Sequence, residues 1–168
     1  MSIFNMFFSL SGRIRRRDFW LYSILITIVT WILNFTAYGV WGHGKNYFEA
    51  LKLAKGQPLG PFVLSVYAIT FMSLLARFPV NAKRWHDRNR TAWIAAFITA
   101  FAEFRFGLAI ALHVVDTRFA PPVYNIASLV GMGFILWTFV ECGCLDGVKG
   151  PNRYGPSPKT PVAQADVF

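Results

Sequence analysis

The sequence predicts an all-α, polytopic membrane protein: a four-transmembrane-helix bundle with both the N- and the C-terminus in the cytoplasm. Three observations carry this. Hydrophobic residues make up 55% of the 168-residue chain and charged residues 15%, against roughly 25% charged in an ordinary soluble domain. The apolar residues gather into four long blocks instead of recurring at the period of a strand or an amphipathic helix. The lysines and arginines fall in the connections between those blocks, and they are shared unevenly between the two sides.

The chain length is that of one domain, read as a single four-span membrane domain over 1–158 with a disordered tail over 159–168. The first residues are aromatic-rich, with Phe4, Phe7 and Phe8 at helical spacing, as suits a short segment lying in the membrane interface. From 19 to 42 no residue is charged, and about 20 apolar residues suffice to cross the hydrocarbon as a helix. Trp20 and Tyr22 at one end and Tyr38 and Trp41 at the other form two aromatic belts. The run is longer than a signal-peptide core and offers no small-x-small cleavage site, so it is read as retained. A polar connection follows with His43, Lys45, Glu49, Lys52 and Lys55.

The second span is expected over 57–76, with Pro58 and Pro61 at its start, where the amide hydrogens of a first turn lack intrahelical partners anyway. Residues 77–90 read as a charge-dense loop. The third span, 91–115, is apolar except for Glu103 and Arg105. The fourth, 119–140, follows Pro121 and Pro122 near its start. The remaining residues are rich in Gly and Pro and read as extended and turn-rich. Cys142 and Cys144 have no second pair with which to form a zinc site, so they read as small apolar residues at a helix end.

Orientation follows from charge. Four spans put both termini and the central connection on one side. That side holds Arg13, Arg15, Arg16, Arg17, Arg77, Lys83, Arg84, Arg88, Arg90, Lys149, Arg153 and Lys159, and the other only Lys45, Lys52, Lys55 and Arg118. Basic residues mark the cytoplasmic side. The formal net charge of +9 would suggest nucleic acid in a soluble protein. Beside apolar blocks it points instead to anionic lipid headgroups, and no nucleic-acid partner is assigned.

Three polar segments therefore meet on one face: Gly12 to Trp20, Lys83 to Arg88, and Gly150 to Pro156. On these residues the chain resembles the DUF805 family, small bacterial inner-membrane proteins of unknown function. The family pattern opens with Gly-Arg-Ile-x-Arg-x-x-[Asp/Glu]-[Phe/Tyr]-Trp after a Phe-rich lead, and Gly12, Arg13, Ile14, Arg16 or a neighbour, Phe19 and Trp20 match it. Arg84, His86, Asp87, Arg90 and Trp93 match the middle motif, Arg-Leu-His-Asp-x-Gly-Arg-Ser-Gly-Trp. Asn152, Tyr154, Gly155 and Pro158 match the last. Trp85 replaces Leu, Asn89 and Ala92 replace the two glycines of the middle motif, and Ser157 replaces an acidic residue. The resemblance implies a membrane location and brings no activity with it.

Residue chemistry leaves several roles open. His86 titrates near neutral pH and suits a general base or a metal ligand, with Asp18, Glu141 and Asp146 as the available further ligands. Adjacent residues on a helix diverge by about 100°, so His86 and Asp87 make a poor acid–base pair with one another. The favoured reading is structural: Asp87 pairs with Arg84 or with an N-terminal arginine and locks the central segment. No catalytic residue, no metal and no cofactor is assigned. Arg13, Arg16, Arg84, His86, Asp87, Arg90, Asn152, Arg153 and Tyr154 are the candidate contacts for an anionic lipid or a protein partner, and Asn152–Gly155 reads as a turn. Asn34, Glu103 and Arg105 are candidate intramembrane polar groups, expected either to pair between helices or subunits or to line a polar path.

Three functions compete. The first, and the reading adopted, is a non-enzymatic membrane protein with a basic, aromatic cytoplasmic face. The second is a small channel or transporter, a homo-oligomer, using Glu103 and Arg105. The third is a lipid-headgroup enzyme using His86 and Asp87, against which stands the lack of an activated nucleophile or a phosphate-binding loop.

Overall fold

The structure, a computed structural model, describes residues 3–41, 60–115 and 122–159. The polar connection with His43, Lys45, Glu49, Lys52 and Lys55, the position of Arg118, and the tail expected to be disordered beyond Lys159 lie outside the described residues.

Among the described residues every element longer than a turn is helical. A short α1 (Ile3–Phe8) precedes α2 (Arg16–Trp41), α3 (Pro61–Asp87), α4 (Ala92–Val115) and α5 (Pro122–Thr138), and α5 runs on as a wider π-helical turn, Phe139–Cys144. Four of these helices, α5 counted with its π-helical extension, are long and apolar enough to cross a membrane. The chain is a multi-pass membrane protein.

Each span shows why it tolerates lipid. In α2 the hydroxyls of Thr27, Thr30 and Thr36 donate to the carbonyls of Ser23, Ile26 and Ile32 one turn back, at 2.8, 2.7 and 2.9 Å. Those polar atoms are satisfied within the helix itself, as an apolar solvent demands. Pro61 occupies the first turn of α3 as expected, and Pro122 does the same for α5. α4 is continuous through Glu103 and Arg105.

The chief difference from the sequence reading is the length of α3. Residues 77–90 were expected to form a loop, yet the helix continues to Asp87, through Pro79. At about 1.5 Å per residue its 27 residues reach about 40 Å, some 10 Å beyond the hydrocarbon. The extension is a helix because its charged side chains are buried by the chain termini instead of being left to solvent. Only residues 88–91 form the connection. Asn89 ends the helix at φ 57°, donating its amide to the His86 carbonyl at 2.9 Å. Asn is the residue after Gly best suited to that left-handed cap, so the loss of the family glycine leaves the turn intact.

Helix α2 packs on α3, α3 on α4 and α4 on α5, while the π-helical turn comes back to touch α2 and α3. Burial is concentrated at that end. Met6, Ile14, Phe19, Val80, Ala82, Trp85, Ala95 and Cys142 form one cluster. Along the spans, large apolar side chains such as Leu21, Ile28, Trp31, Leu129 and Ile135 face outward. That surface suits a hydrocarbon solvent and no aqueous one.

Candidate functional site

The expected convergence of the three polar segments takes the form of a buried ionic knot at the end of α3. Asp87 is its centre. Its carboxylate accepts from two guanidiniums, Arg13 through Nε at 3.0 Å and Arg84 through Nη1. Arg13 Nη2 stands 2.9 Å from the same Asp87 oxygen as Nε. All three side chains are buried.

Each arginine is satisfied further by backbone. Arg13 donates to the carbonyls of Gly150 at 2.8 Å, Gly155 at 3.2 Å and Val148 at 2.6 Å. Arg84 donates to Cys142 at 2.7 Å and to Leu145. The planar fork of Arg is what lets one side chain hold several acceptors at fixed angles. The backbone of Asp87 joins in as well, its carbonyl accepting from the Val148 amide at 2.9 Å. Gly147 is what allows this approach: a Cβ there would fall 1.8 Å from Asp87 Oδ2.

His86 lies at the side of the knot. Its ring stacks on Tyr154, centroids 3.7 Å apart at 11°, and Nδ1 is 3.2 Å from the Gly12 carbonyl. A hydrogen bond there requires the proton on Nδ1. Asn152 donates through Nδ2 to the His86 carbonyl at 2.9 Å and accepts the Tyr154 amide through Oδ1 at 2.9 Å. The Asn152–Gly155 turn is closed by reciprocal backbone bonds of 3.0 and 2.9 Å, and Gly155 takes φ 120° there, a conformation that favours glycine. Arg153 rests over the Tyr154 ring, 4.8 Å from its centroid.

The arrangement makes the motifs one another's ligands. Of the candidate contact residues, Arg13, Arg84 and Asp87 are consumed inside the knot, and His86 and Asn152 close it. Arg16 reaches the Cys144 carbonyl at 2.8 Å from the rim, Arg153 reaches the Asn89 carbonyl at 3.3 Å, and Arg90 is exposed. Both pairings anticipated for Asp87, with Arg84 and with an N-terminal arginine, are present together.

Further residues take part whose partners the sequence reading did not assign. Lys83 is fully buried and donates to the carbonyls of Asn5 and Met6, tying α1 to α3. Arg88 pairs with Glu141 at 3.1 Å. Trp20 donates to the Gly143 carbonyl at 3.0 Å. Asp146 at the surface meets Lys159 at 3.1 Å, and that ammonium holds its carboxyl below the usual range. Of these contacts, the one between Trp20 and residue 143 depends on a glycine, since a Cβ there would fall 2.7 Å from the Trp20 ring.

Of the possible metal ligands, Glu141 and Asp146 turn to cations of the chain. Among the described residues no three His, Cys, Asp or Glu side chains gather as a ligand set. The intramembrane polar groups are not brought together. Asn34 donates to the Thr30 carbonyl at 2.8 Å, one turn back on α2. Arg105 lies along Gly131 of α5, its Cδ 3.5 Å from where a Cβ would stand. Both oxygens of Glu103 are buried with no hydrogen-bond partner among the described residues, although its helix is unbroken.

A four-span membrane protein whose ends fold back on one arginine-bound aspartate is the class that this geometry defines. The chain belongs to the family described as "Protein of unknown function (DUF805)", which it matches over residues 7–156. It is 29% identical over 173 residues to "Uncharacterized protein YiiR" of Escherichia coli strain K12, covering 99% of this chain and 97% of that protein. The same figures hold for the YiiR protein of Escherichia coli O157:H7. No solved structure matches. The first motif thus resides in Gly12–Trp20, the second in the tail of α3 and its turn, and the third in the Asn152–Gly155 turn.

Proposed function

We propose that the chain is a non-enzymatic inner-membrane protein, both termini cytoplasmic, whose knotted end presents a basic rim to anionic lipid headgroups. The observation that carries this reading is the division of labour among the cations. Arg13, Lys83 and Arg84 are buried and satisfied by the chain, whereas Arg17, Arg90, Lys149 and Arg153 stay exposed around them. Rim cations near an anionic surface contribute about 1 kcal/mol each. Four together favour anionic over neutral lipid by about 4 kcal/mol, roughly a thousandfold.

The knot argues against catalysis at His86 and Asp87. The aspartate faces two guanidiniums and so has no free edge for a substrate, and the histidine ring is covered on one face by Tyr154. The unequal division of Lys and Arg between the connections supports cytoplasmic termini.

The test is lipid retention. Purified protein in mixed micelles is titrated with phosphatidylglycerol or phosphatidylcholine, and bound lipid is counted by native mass spectrometry. Preferential retention of phosphatidylglycerol, weakened by salt and by the triple substitution Arg17→Gln, Arg90→Gln, Arg153→Gln, is expected. Equal retention of the two lipids by the unaltered protein would refute the reading. A reporter fused after Phe168 reads the orientation; its display outside would take the rim away from the cytoplasmic leaflet.

A further inference from the structure

We propose that Glu103 is an intramembrane proton-binding site, its carboxyl group kept as the neutral acid within the bilayer and able to exchange that proton. The lipid-binding rim neither requires this nor explains it.

Position is the first ground. Glu103 is the twelfth of the 24 residues of α4, which places it at the middle of a span, as far from either interface as the helix allows. A long cationic side chain near a helix end escapes by snorkelling; a glutamate at midspan has no such reach.

The second ground is that no group among the described residues compensates it. Both carboxyl oxygens are buried without a hydrogen-bond partner among the described residues. Among the described residues, the charged and titratable groups along the neighbouring spans are Tyr67 and Arg77 of α3, Tyr124 of α5 and Arg105 of α4 itself, while Lys83, Arg84, His86, Asp87, Glu141, Cys142 and Cys144 lie at the knotted end. Tyr67 sets its ring edge-on to Phe106 at 5.3 Å. Arg77 donates to Thr27 of α2 at 2.7 Å. Arg105 is two residues away, so on a regular helix it points about 200° round the axis, and it lies against Gly131 of α5. None of these cations forms an ion pair with Glu103.

A buried charge without a partner takes up a proton in preference to remaining charged. The knot shows the contrast within one molecule: the Asp87 carboxylate is also shut off from solvent, yet two guanidiniums hold it. An ionisable group inside a span is by default a candidate for function, and what a neutral carboxyl offers at this depth that Leu or Gln does not is a proton it can exchange.

The test uses the full chain in vesicles of phosphatidylcholine and phosphatidylglycerol, treated with dicyclohexylcarbodiimide. This apolar reagent adds to a protonated carboxyl. The carboxyl oxygen bonds to the carbodiimide carbon, the proton passes to its nitrogen, and an acyl shift gives a stable N-acylurea with no leaving group. We expect the label at neutral pH to map by peptide mass to Glu103 and to be missing from Asp87, with labelling that slows as the vesicles are made alkaline. Infrared absorption by a protonated carboxyl should disappear in Glu103→Gln, a variant that copies the shape of the neutral acid and should melt with the wild type. A Glu103 that stays unlabelled at neutral pH, or labelling that does not change with pH, overturns the proposal. The mapped label on the unaltered chain decides even where the variant does not fold.

Discussion

At the residue scale the protein turns on Asp87. Removing one partner of a buried ionic set costs about 3–5 kcal/mol, because the charges left behind have no water to turn to. Asp87→Asn preserves shape and removes the charge that balances Arg13 and Arg84, so a loss in that range is expected. Gly147→Ala should approach it by a different route, since its methyl group would occupy the position of Asp87 Oδ2 and drive the carboxylate off its arginines. Denaturant unfolding in a fixed detergent measures both. If both variants stay within about 1 kcal/mol of wild type, an ordinary value for a surface substitution, the knot is not what holds this end together. Asp87 was readable in the sequence because few anions lie among so many cations, and a lone acid in that setting has its partners supplied. Gly147 was not readable, because a glycine in a Gly- and Pro-rich tail looks like every other turn residue until the group pressed against it is known.

The elements repeat the lesson at larger size. Apolar blocks disclosed the four spans because hydrocarbon imposes a minimum length and forbids unpaired backbone. The same reasoning cut α3 short. A run such as Lys83–Arg84–Trp85–His86–Asp87 reads as a solvated loop when only its polarity is weighed, and its burial depends on residues 58 to 78 positions away in the chain. One of the segments that supply those contacts, residues 145–159, has almost no regular structure and is held by its bonds to α3 and to the arginines after α1. Its two ends are tied to one another by the Asp146–Lys159 pair. Lys159 depresses the Asp146 carboxyl, so the unfolded segment binds the proton more readily than the folded one. The contribution of the pair is therefore complete above the ordinary carboxylate range and is lost as the pH falls through the depressed value. Hydrogen exchange across residues 146–159 should accelerate relative to α2 once the pH is taken below the ordinary carboxylate range, and Lys159→Gln should remove that difference. Exchange in the segment that ignores both pH and Lys159 would mean that the pair adds nothing to the bonds that hold the segment to α3 and Arg13.

For the whole molecule the distribution of burial is inverted relative to a soluble protein: charged side chains are sealed at one end and aromatic ones face out along the spans. Two tryptophans state the contrast. Trp85 has 0% of its surface exposed and meets Trp137 edge-on at 5.0 Å, whereas Trp31 is 62% exposed on α2. If hydrocarbon is the solvent of the spans, trimming Trp31 exchanges protein–lipid contact for more lipid and leaves no cavity. Trimming Trp85 opens a void among rigid neighbours, for which about 3–5 kcal/mol is the usual cost of a large aromatic. Trp85→Ala should therefore destabilise the protein in detergent by about that much, and Trp31→Ala by well under 1 kcal/mol. Unfolding of the two variants under one set of detergent conditions makes the comparison direct. A large loss at Trp31 would mean that α2 is covered by protein along that face, in an assembly wider than one chain. A small loss at Trp85 would mean that the end of α3 has room to collapse, and that the ionic knot beside it is closed by charge alone rather than by the packing around it.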